Sequence, residues 1–209
     1  MGYTELHSAC NSGNVEKVRS ILDNKLVQNV NEKEDKHGYT PLLFACYNGH
    51  TQIVELLLKD QRVDVNVGDK NGKTGLFWAC ENRKMDIIKM MLQDERVEIN
   101  KSKNDGLTPL MIVSSHGDIE VLRYLLAFGK GVDLSLKNQN GKDIFAIVRE
   151  KMFWRSHDPW KRKQEMLKLL QDFHENPEMT GFELKIEFGM RGSISIPISI
   201  HFFIFFFLL

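Results

Sequence analysis

One pattern recurs along the first two thirds of this sequence and constrains its fold more than any other feature. Each copy opens on a turn glycine, continues through a short apolar segment, and returns after 34–36 residues. The opening glycines are Gly2, Gly38, Gly72, Gly106 and, in a degraded copy, Gly141. A fixed period in this range predicts a solenoid, in which each repeat buries its apolar face against its neighbours.

The second copy, G-Y-T-P-L-L-F-A-C-Y-N-G-H from Gly38 to His50, marks both ends of one helix. Thr40 is a good N-cap, because its hydroxyl can accept a hydrogen bond from an N–H of the first turn. Pro41 follows at the first helical position, where its missing N–H costs nothing. Gly49 can adopt the left-handed conformation that ends a helix. A second helix, T-Q-I-V-E-L-L-L, is predicted directly after it.

The second helices of four copies align their apolar residues in columns, which predicts one continuous core. We expect Leu57 to lie in that core. The three columns are Val18, Val54, Ile88 and Leu122; Ile21, Leu57, Met91 and Leu125; and Leu22, Leu58, Leu92 and Leu126.

The copies at Thr40–His50 and Thr4–Asn14 resemble the ankyrin-repeat motif T-P-L-H-x-A-A-x-x-G-H, and those at Thr74–Lys84 and Thr108–Asp118 match it in part. This resemblance covers roughly residues 2–150 and implies an all-α solenoid of antiparallel helix pairs with β-turn tips. The predicted organisation is repeats over 2–37, 38–71, 72–105 and 106–140, a degraded repeat from 141, capping helices over 141–176, and a tail over 177–209.

Two departures from the family motif carry structural expectations. Gly75 replaces the helix-starting proline and Arg83 the helix-ending glycine, so the third repeat should be less tightly capped. The Gly-Ala that usually closes the second helix is missing at Asp60-Gln61-Arg62 and Asp94-Glu95-Arg96. The loop there is about one residue longer, which accounts for the spacing of the repeats.

The resemblance also implies where a partner protein binds, namely the turn tips and the exposed side of the inner helices on a concave face. Among these positions Tyr39 and Tyr47 are candidate interface anchors, because tyrosine joins a large apolar body to a polar end. The alternative is that both are isolated surface aromatics, which are common. The predicted partner-binding residues are Lys36, His37, Tyr39, Tyr47, Asn48, Lys70, Asn71, Lys73, Glu81, Asn82, Asn104, Asp105, Leu107, Ser115 and His116.

Three further aromatic residues of the inner helices have two interpretations. Phe44, Phe77 and Trp78 are larger than the residues usual at these family positions. We expect them to fill the space between helix layers rather than project toward a ligand. Exposure of Trp78 would instead make it a binding residue.

Composition and spacing argue against several other functions. With 28 Lys and Arg against 28 Asp and Glu, the formal net charge is zero, whereas a nucleic-acid binder should show a basic face. No side chain recurs at a spacing that would orient a histidine as a general base, and no C-x-x-C metal motif is present. We therefore expect a non-enzymatic monomer without cofactor or metal.

The three cysteines, Cys10, Cys46 and Cys80, occupy one slot in successive repeats. Stacked helices lie about 8–10 Å apart, whereas the Cα atoms of a disulfide are usually under about 7 Å apart. These residues are therefore predicted to be small core residues, which fits a reducing, cytoplasmic location.

The segment 141–176 is predicted to cap the solenoid with two helices. The first has the apolar residues Ile144, Phe145, Ile147 and Val148, and the second opens at Asp158-Pro159 with the stripe Trp160, Met166, Leu167, Leu170 and Phe173. A terminal repeat needs a polar outer face, so the basic residues 161–163 are interpreted as that face rather than a nuclear signal.

The last 33 residues change character. Phe182, Leu184, Ile186 and Phe188 alternate with charged residues, which predicts an extended strand or disorder over 177–193. Residues 194–209 are apolar, and as a helix they would span about 24 Å, less than the roughly 30 Å hydrocarbon core. A marginal membrane anchor, a gene-model artefact or vestigial tail, and a segment packed on the last repeat all stay open.

The function predicted from these patterns is a protein–protein interaction module, a scaffold or adaptor with an unidentified protein partner. Two alternatives stay open. One is an adaptor tethered to the cytoplasmic face of a membrane by residues 194–209, and the other is a fragment of a larger ankyrin regulatory protein.

Overall fold

The computed structural model describes residues 2–24, 29–150 and 158–189, and within these ranges the secondary structure is entirely helical. The predicted all-α class is confirmed. The helices are α1 (Glu5–Ser12), α2 (Val15–Asp23), α3 (Pro41–Asn48), α4 (Thr51–Lys59), α5 (Gly75–Glu81), α6 (Met85–Gln93), α7 (Pro109–His116), α8 (Ile119–Phe128), α9 (Ile144–Glu150), α10 (Pro159–Glu175) and α11 (Pro177–Glu187).

The described residues divide into two compact units. The first lies within residues 1–112 and 137–141, and the second within 113–136 and 142–209. In the first unit, α1, α3 and α5 form an inner row, in which α3 packs against both neighbours. Each inner helix also packs against the helix that follows it, and these followers, α2, α4 and α6, form an outer row.

The apolar columns of the outer helices build the core of the first unit, as predicted. The first two columns are buried, and Val18, Val54, Leu57, Ile88 and Met91 have no exposed surface. The third column lies at the edge of this layer: Leu22 is buried, but Leu58 and Leu92 are only half-buried.

The cap predicted at Thr40 is confirmed, and Thr4 and Thr74 cap their helices in the same way. The hydroxyls of Thr4, Thr40 and Thr74 each accept a hydrogen bond from the backbone N–H three residues on. His7 is fully buried and structural, because its Nδ1 accepts from the Thr4 N–H at 3.0 Å. Its Nε2 lies 2.8 Å from the carbonyl oxygen of Glu32.

The third repeat ends its inner helix differently from the others. Arg83 adopts a left-handed φ of 56° where the preceding repeat has Gly49 at φ 86°. Side chains disfavour this conformation, and α5 has seven residues where α3 has eight. The left-handed turn after α5 is thus kept without its glycine, and the weaker capping of the third repeat stays a prediction.

At the other end of α5, glycine has a packing reason. A Cβ added to Gly75 would lie 3.1 Å from Sγ of Cys46 in the preceding repeat. A side chain at position 75 would therefore crowd α3 of the preceding repeat.

The three cysteines are free and buried, as predicted. Burial raises the pKa of the Cys10 thiol to about 12 and also raises the pKa of Cys46. The thiols of Cys10 and Cys46 therefore remain protonated, and all three cysteines act as small core side chains.

The loops that lack Gly-Ala carry an arginine that bridges successive repeats. Arg96 donates from Nη2 to the carbonyl oxygen of Leu58 at 2.7 Å and from Nη1 to that of Val63 at 3.1 Å. Oδ2 of Asp94 lies 2.6 Å from Nη2 of Arg96 and orients the same guanidinium. The arginine thus satisfies the carbonyl group of Leu58, which the end of α4 leaves unpaired, and one carbonyl group of the loop that follows.

The preceding loop repeats this arrangement. Arg62 pairs with Asp60 at 2.5 Å and donates to the carbonyl oxygen of Leu22, near the end of α2, at 3.3 Å. Each of the two loops that lack Gly-Ala therefore contacts the preceding repeat through its arginine.

The second unit contains α8 to α11. Asp158 caps α10, accepting from the N–H of Lys161 at 2.9 Å, as predicted. The buried face of α10 consists of Met166, Leu169, Leu170 and Phe173, whose spacing covers one side of a helix.

The predicted stripe of α10 was wrong at two positions. Trp160 is 63% exposed, and Leu167 is half-buried. At 3.6 residues per turn, Trp160 lies about 120° and Leu167 about 100° from Met166, so both fall off the buried face. Leu169 takes the place assigned to Leu167.

The extended segment predicted after residue 176 was also wrong where the structure describes it, because Pro177–Glu187 forms α11. Pro177 occupies the first turn, and Thr180, Gly181 and Leu184 are buried, since α11 packs on α8 and α10. An ion pair between Nη1 of Arg123 on α8 and Oε2 of Glu187 on α11, 2.6 Å apart, adds to this packing. Tertiary contacts thus override an alternating pattern.

Residues 190–209 lie outside the described residues, so the three interpretations of the apolar tail stay predictions. In the described part of the chain, no helix combines the length and apolar character needed to span a membrane.

A first prediction concerns the core. Replacing Leu57 by Ala should lower the free energy of unfolding by about 2–5 kcal/mol, because a fully buried side chain leaves a cavity. Urea unfolding followed by circular dichroism measures the change. Leu56→Ala is the matched control in the same helix and should cost less, since Leu56 is only half-buried. Equal losses in both variants would refute the assigned core.

A second prediction concerns the arginine bridge. Arg96→Ala should lower the free energy of unfolding by about 1.5–3 kcal/mol, the range for hydrogen bonds to charged groups. Lys59→Ala, which removes an exposed charge, should change it far less. Urea unfolding of the two variants provides the comparison, and an Arg96→Ala protein as stable as wild type would contradict the bridge.

The same variant has a pH signature. Hydrogen bonds from the Arg96 side chain, opposed by burial, hold the pKa of Asp94 below its usual range. A lowered carboxyl pKa contributes stability that is complete above the usual Asp pKa of about 4 and is lost as the pH falls through the folded-state value. The stability gap between wild type and Arg96→Ala should therefore narrow below about pH 4.

Candidate functional site

Five aromatic rings lie together on the inner row of the first unit, and we call them the aromatic strip. They are Tyr3, Tyr39, Phe44, Tyr47 and Trp78. The repeats place them there because residues one period apart stack. Tyr3 and Tyr39 both follow a turn glycine, and Phe44 and Trp78 occupy the same slot of α3 and α5.

The rings meet edge to face along the strip. Ring centroids are 5.7 Å apart between Tyr3 and Phe44, and 5.2 Å apart between Phe44 and Tyr39. Trp78 lies 5.7 Å from Tyr39 and 5.0 Å from Tyr47. The interplanar angles of these four pairs lie between 75° and 88°, an arrangement that the ring quadrupoles favour.

Exposure is greatest at two of the rings. Tyr3 is 51% and Tyr47 43% exposed, while Tyr39, Phe44 and Trp78 are half-buried. Phe77 is fully buried and fills the core, as expected of all three large residues. That expectation holds only in part for Phe44 and Trp78, which pack inward on one side and reach the strip on the other.

Two contacts fix the ring of Trp78. Its Nε1–H donates to Oδ2 of Asp69 at 3.2 Å, and Nζ of Lys73 lies 4.0 Å above the ring centroid. Lys73 in turn pairs with Glu81 at 2.6 Å. Lys73 and Glu81, both predicted to contact a partner, are therefore bonded to each other and hold the indole in place.

A buried carboxylate holds each of the two tips beside the strip. Asp69 accepts the N–H groups of Asn71 at 2.8 Å and Lys73 at 3.0 Å. In the preceding tip, Glu34 accepts those of Lys36 at 2.6 Å and His37 at 2.5 Å. Sequence reasoning missed both carboxylates, although each lies three or four residues before a turn glycine.

The charge of Glu34 depends on these bonds. Burial raises the pKa of Glu34, but the N–H groups of His37, Tyr39 and Lys36 together lower it below the usual range. The carboxylate therefore stays ionised and its acceptor sites face the backbone of its own tip rather than solvent.

The same surroundings affect Tyr39. Burial, the charge of Asp69 and the neighbouring Tyr47 raise the pKa of Tyr39 to about 12. The phenol of Tyr39 therefore remains a hydrogen-bond donor at neutral pH.

Backbone hydrogen bonds join successive tips. The N–H of Lys70 donates to the carbonyl oxygen of His37 at 3.0 Å, and the N–H of Asn104 to that of Asn71 at 2.8 Å. The predicted tip residues Lys36, His37, Lys70, Asn71 and Asn104 are exposed, whereas Asp105 and Leu107 are half-buried. The structure thus brings the tips into one row.

The residues predicted to bind a partner at the ends of the inner helices differ in their contacts and exposure. Nδ2 of Asn48 donates to Oδ1 of Asn11 at 3.0 Å, and Nδ2 of Asn11 donates to the hydroxyl of Tyr3 at 3.2 Å. Asn82 is exposed. Ser115, half-buried, and His116, exposed, belong to the second unit and are not part of the strip.

Tyr3 is the exposed ring that sequence reasoning missed. Its slot is that of Tyr39, directly after the turn glycine, so carrying the alignment into the first repeat would have found it. The partner-binding role of all these residues stays a prediction.

No group of three or more His, Cys, Asp or Glu residues that could hold a metal ion occurs in the described ranges. The site offers ring faces, phenol donors and exposed tips rather than a cluster of ligands or a nucleophile.

Comparison with known proteins places this arrangement in a family. The family model described as ankyrin repeats (three copies) matches residues 1–69 and 61–138, more than half of the chain. The chain is 41% identical over 61 residues to osteoclast-stimulating factor 1 of Rattus norvegicus, covering 29% of this chain and 27% of that protein.

Two other relatives match this chain over segments of similar length. Identity is 44% over 69 residues with oxysterol-binding protein-related protein 1 of Homo sapiens, covering 30% of this chain and 7% of that protein. Identity is 43% over 60 residues with protein fem-1 homolog A of Bos taurus, covering 29% of this chain and 9% of that protein. The chain thus spans about a quarter of the length of the first relative and under a tenth of the other two.

The repeat period, the stacked helix pairs and the family match agree. Ankyrin repeats form protein–protein interaction modules and are typically non-enzymatic. The chain belongs to the ankyrin-repeat family.

Proposed function

We propose that this protein is a scaffold or adaptor that binds a partner protein on the aromatic strip and the adjoining tips of its first three repeats. The observation that carries the proposal is the contiguous set of five rings, two of which are extensively exposed. Tyrosine and tryptophan are enriched among the residues that dominate binding energy at protein interfaces.

The rigidity of the strip supports the proposal. Ordering a mobile side chain on binding costs about 0.5–1.5 kcal/mol, which weakens association. Trp78 is already held by Asp69 and Lys73, and Tyr3 by Asn11. These rings therefore lose little freedom when a partner covers them.

The location of the protein is also a proposal. Three free, buried thiols at Cys10, Cys46 and Cys80 suit a reducing compartment, and we propose the cytoplasm. Fluorescence imaging of the tagged full chain tests it, and colocalisation with a membrane marker would favour tethering instead.

A third prediction tests the proposed function. The double variant Tyr3→Ala, Tyr47→Ala should lose at least about tenfold of its partner capture, since each truncation removes an exposed anchor. Quantitative affinity purification of the tagged full chain from lysate measures it. Trp160→Ala is the matched control, because it removes a large exposed aromatic side chain from the second unit.

Circular dichroism and thermal unfolding must show that both variants fold like wild type. If specific proteins are recovered equally by wild type, the double variant and Trp160→Ala, the strip is not the binding surface.

A further inference from the structure

An apolar groove lies within the second unit, between α8, α10 and α11. Its volume is about 360 Å³, and the buried side chains of Leu126 and Phe173 belong to its lining. The half-buried rings of Phe128 and Phe182 also line it. The charged residues of the lining carry both signs, since they are Lys130, Glu178 and Lys185. The groove therefore suits an apolar occupant without net charge.

An exposed apolar surface leads from this groove to the end of α11. Phe182 lines the groove, and Ile186 lies one helical turn beyond it on the same side of the helix. Ile186 is 38% exposed, and Phe188, which follows on the next residue but one, is 36% exposed. Large apolar side chains that are exposed together mark a surface that another segment covers.

We propose that the groove docks residues 194–200 of the same chain, which we call the isoleucine segment. Its sequence is I-S-I-P-I-S-I, and it has no ionisable side chain. The segment lies outside the described residues, so its sequence and the described groove carry this inference. It concerns the second unit and is independent of the function proposed for the aromatic strip.

The first support is the pattern of the isoleucine segment. Isoleucine occupies every second position, and Ser195, Pro197 and Ser199 occupy the positions between. Successive side chains of an extended segment point to opposite sides, so this sequence has one apolar face and one face of serine and proline. A groove on a protein surface covers one face of such a segment and leaves the other in water.

The second support is reach. Gly189 has a left-handed φ of 81°, and its N–H donates to the carbonyl oxygen of Ile186 at 2.9 Å, so the chain turns away from the axis of α11 at this point. From Gly189 back to Phe182 the distance along the helix is about 10 Å, at about 1.5 Å per residue. The four residues 190–193 span up to about 13 Å when extended. The first isoleucine, Ile194, can therefore reach the groove beside Phe182.

The same pattern disfavours a bilayer as the surface that covers the isoleucine segment. In the hydrocarbon core a single segment must bond its backbone groups internally, as a helix does. Pro197, in the middle of the segment, removes one helical hydrogen bond and disfavours that conformation. In the groove the backbone of the segment keeps access to water along its polar face.

Covalent linkage favours the groove of the same chain over that of a second copy. A short linker gives a tethered segment an effective concentration of about millimolar, which exceeds the concentration of a second copy in dilute solution. Residues 190–193 are such a linker. The isoleucine segment thus completes the second unit by covering Phe182 and Ile186.

The experiment is a nuclear magnetic resonance measurement on the 15N-labelled full chain with a nitroxide attached to Ser199→Cys. Position 199 lies on the polar face of the segment, and the native cysteines Cys10, Cys46 and Cys80 are buried, so the label reacts at the new thiol. The nitroxide should broaden the backbone amide signals of Phe128, Lys130 and Phe182. Reduction of the nitroxide should restore these signals.

Two charge variants of the labelled chain test the apolar face. Ile196→Asp, Ile198→Asp should lower the ratio of docked to free segment at least about tenfold, because it places two carboxylates against apolar side chains. Ser193→Asp, Ser195→Asp is the matched control, since it adds the same charge to the opposite face and should leave the broadening unchanged.

Two variants on the second unit locate the groove. Phe182→Ala removes part of its lining and should release the segment, whereas Trp160→Ala removes an exposed ring from the other end of α10 and should not. Circular dichroism must show that both variants keep the helical content of wild type. The tail variants test the inference independently, since they leave the described residues unchanged.

Several results would overturn the inference. These are the absence of broadening at the groove, and equal effects of the isoleucine and serine variants. Broadening in a mixture of 15N-labelled wild type and unlabelled spin-labelled chain would assign the segment to a second copy. Flotation of wild type with phosphatidylcholine vesicles, together with loss of the groove broadening, would assign it to a membrane. Partner capture that depends on Tyr3 and Tyr47 is unaffected by any of these outcomes.

Discussion

Packing between successive repeats is the interaction on which the rest of the first unit depends. A single helix pair cannot bury its apolar face alone, so each repeat supplies part of its neighbour's core. Leu57 is fully buried for this reason, and Gly75 allows its helix to approach Cys46 of the preceding repeat. The arginine bridge from Arg96 to the carbonyl of Leu58 links the same repeats through polar groups.

The aromatic strip is a consequence of that stacking. Because the repeats stack at a fixed period, the ring after the turn glycine of one repeat meets the inner-helix ring of the next: Tyr3 contacts Phe44, and Tyr39 contacts Trp78. Asp69 connects fold and site, because it closes its own tip through backbone N–H groups and also accepts the indole N–H of Trp78. One buried carboxylate thus sets the shape of a tip and the orientation of a ring.

Local rules predicted the fold of the repeats well. The period, the threonine cap at Thr40 and the buried column around Leu57 follow from periodicity and capping, which depend on nearby residues. The same rules did not predict α11, because the burial of Gly181 and Leu184 depends on contact with a distant helix. Trp160 was wrongly predicted to be buried, because the apolar stripe of α10 was extended to a residue outside the buried face of that helix.

The candidate site was predicted less completely, for a similar reason. Tip and helix-end positions followed from the resemblance to ankyrin repeats, but the pairing of Lys73 with Glu81 joins two side chains whose meeting the motif does not specify. Buried Glu34 and Asp69 were missed because their partners are backbone N–H groups, which no partner side chain in the sequence reveals; only their place before a turn glycine marks them. Tyr3 could have been predicted from the sequence, because the glycine alignment applied to the first repeat gives it the position of Tyr39.

The aromatic strip can serve as a binding surface of low entropic cost only if its rings are fixed before any partner arrives. Hydrogen exchange of the indole N–H of Trp78, compared with that of exposed Trp160 in the same protein, measures this. The bond to Asp69 predicts markedly slower exchange at Trp78, and Asp69→Ala should remove the difference. Equal exchange rates for the two indoles in the wild-type chain would contradict a strip ordered in advance.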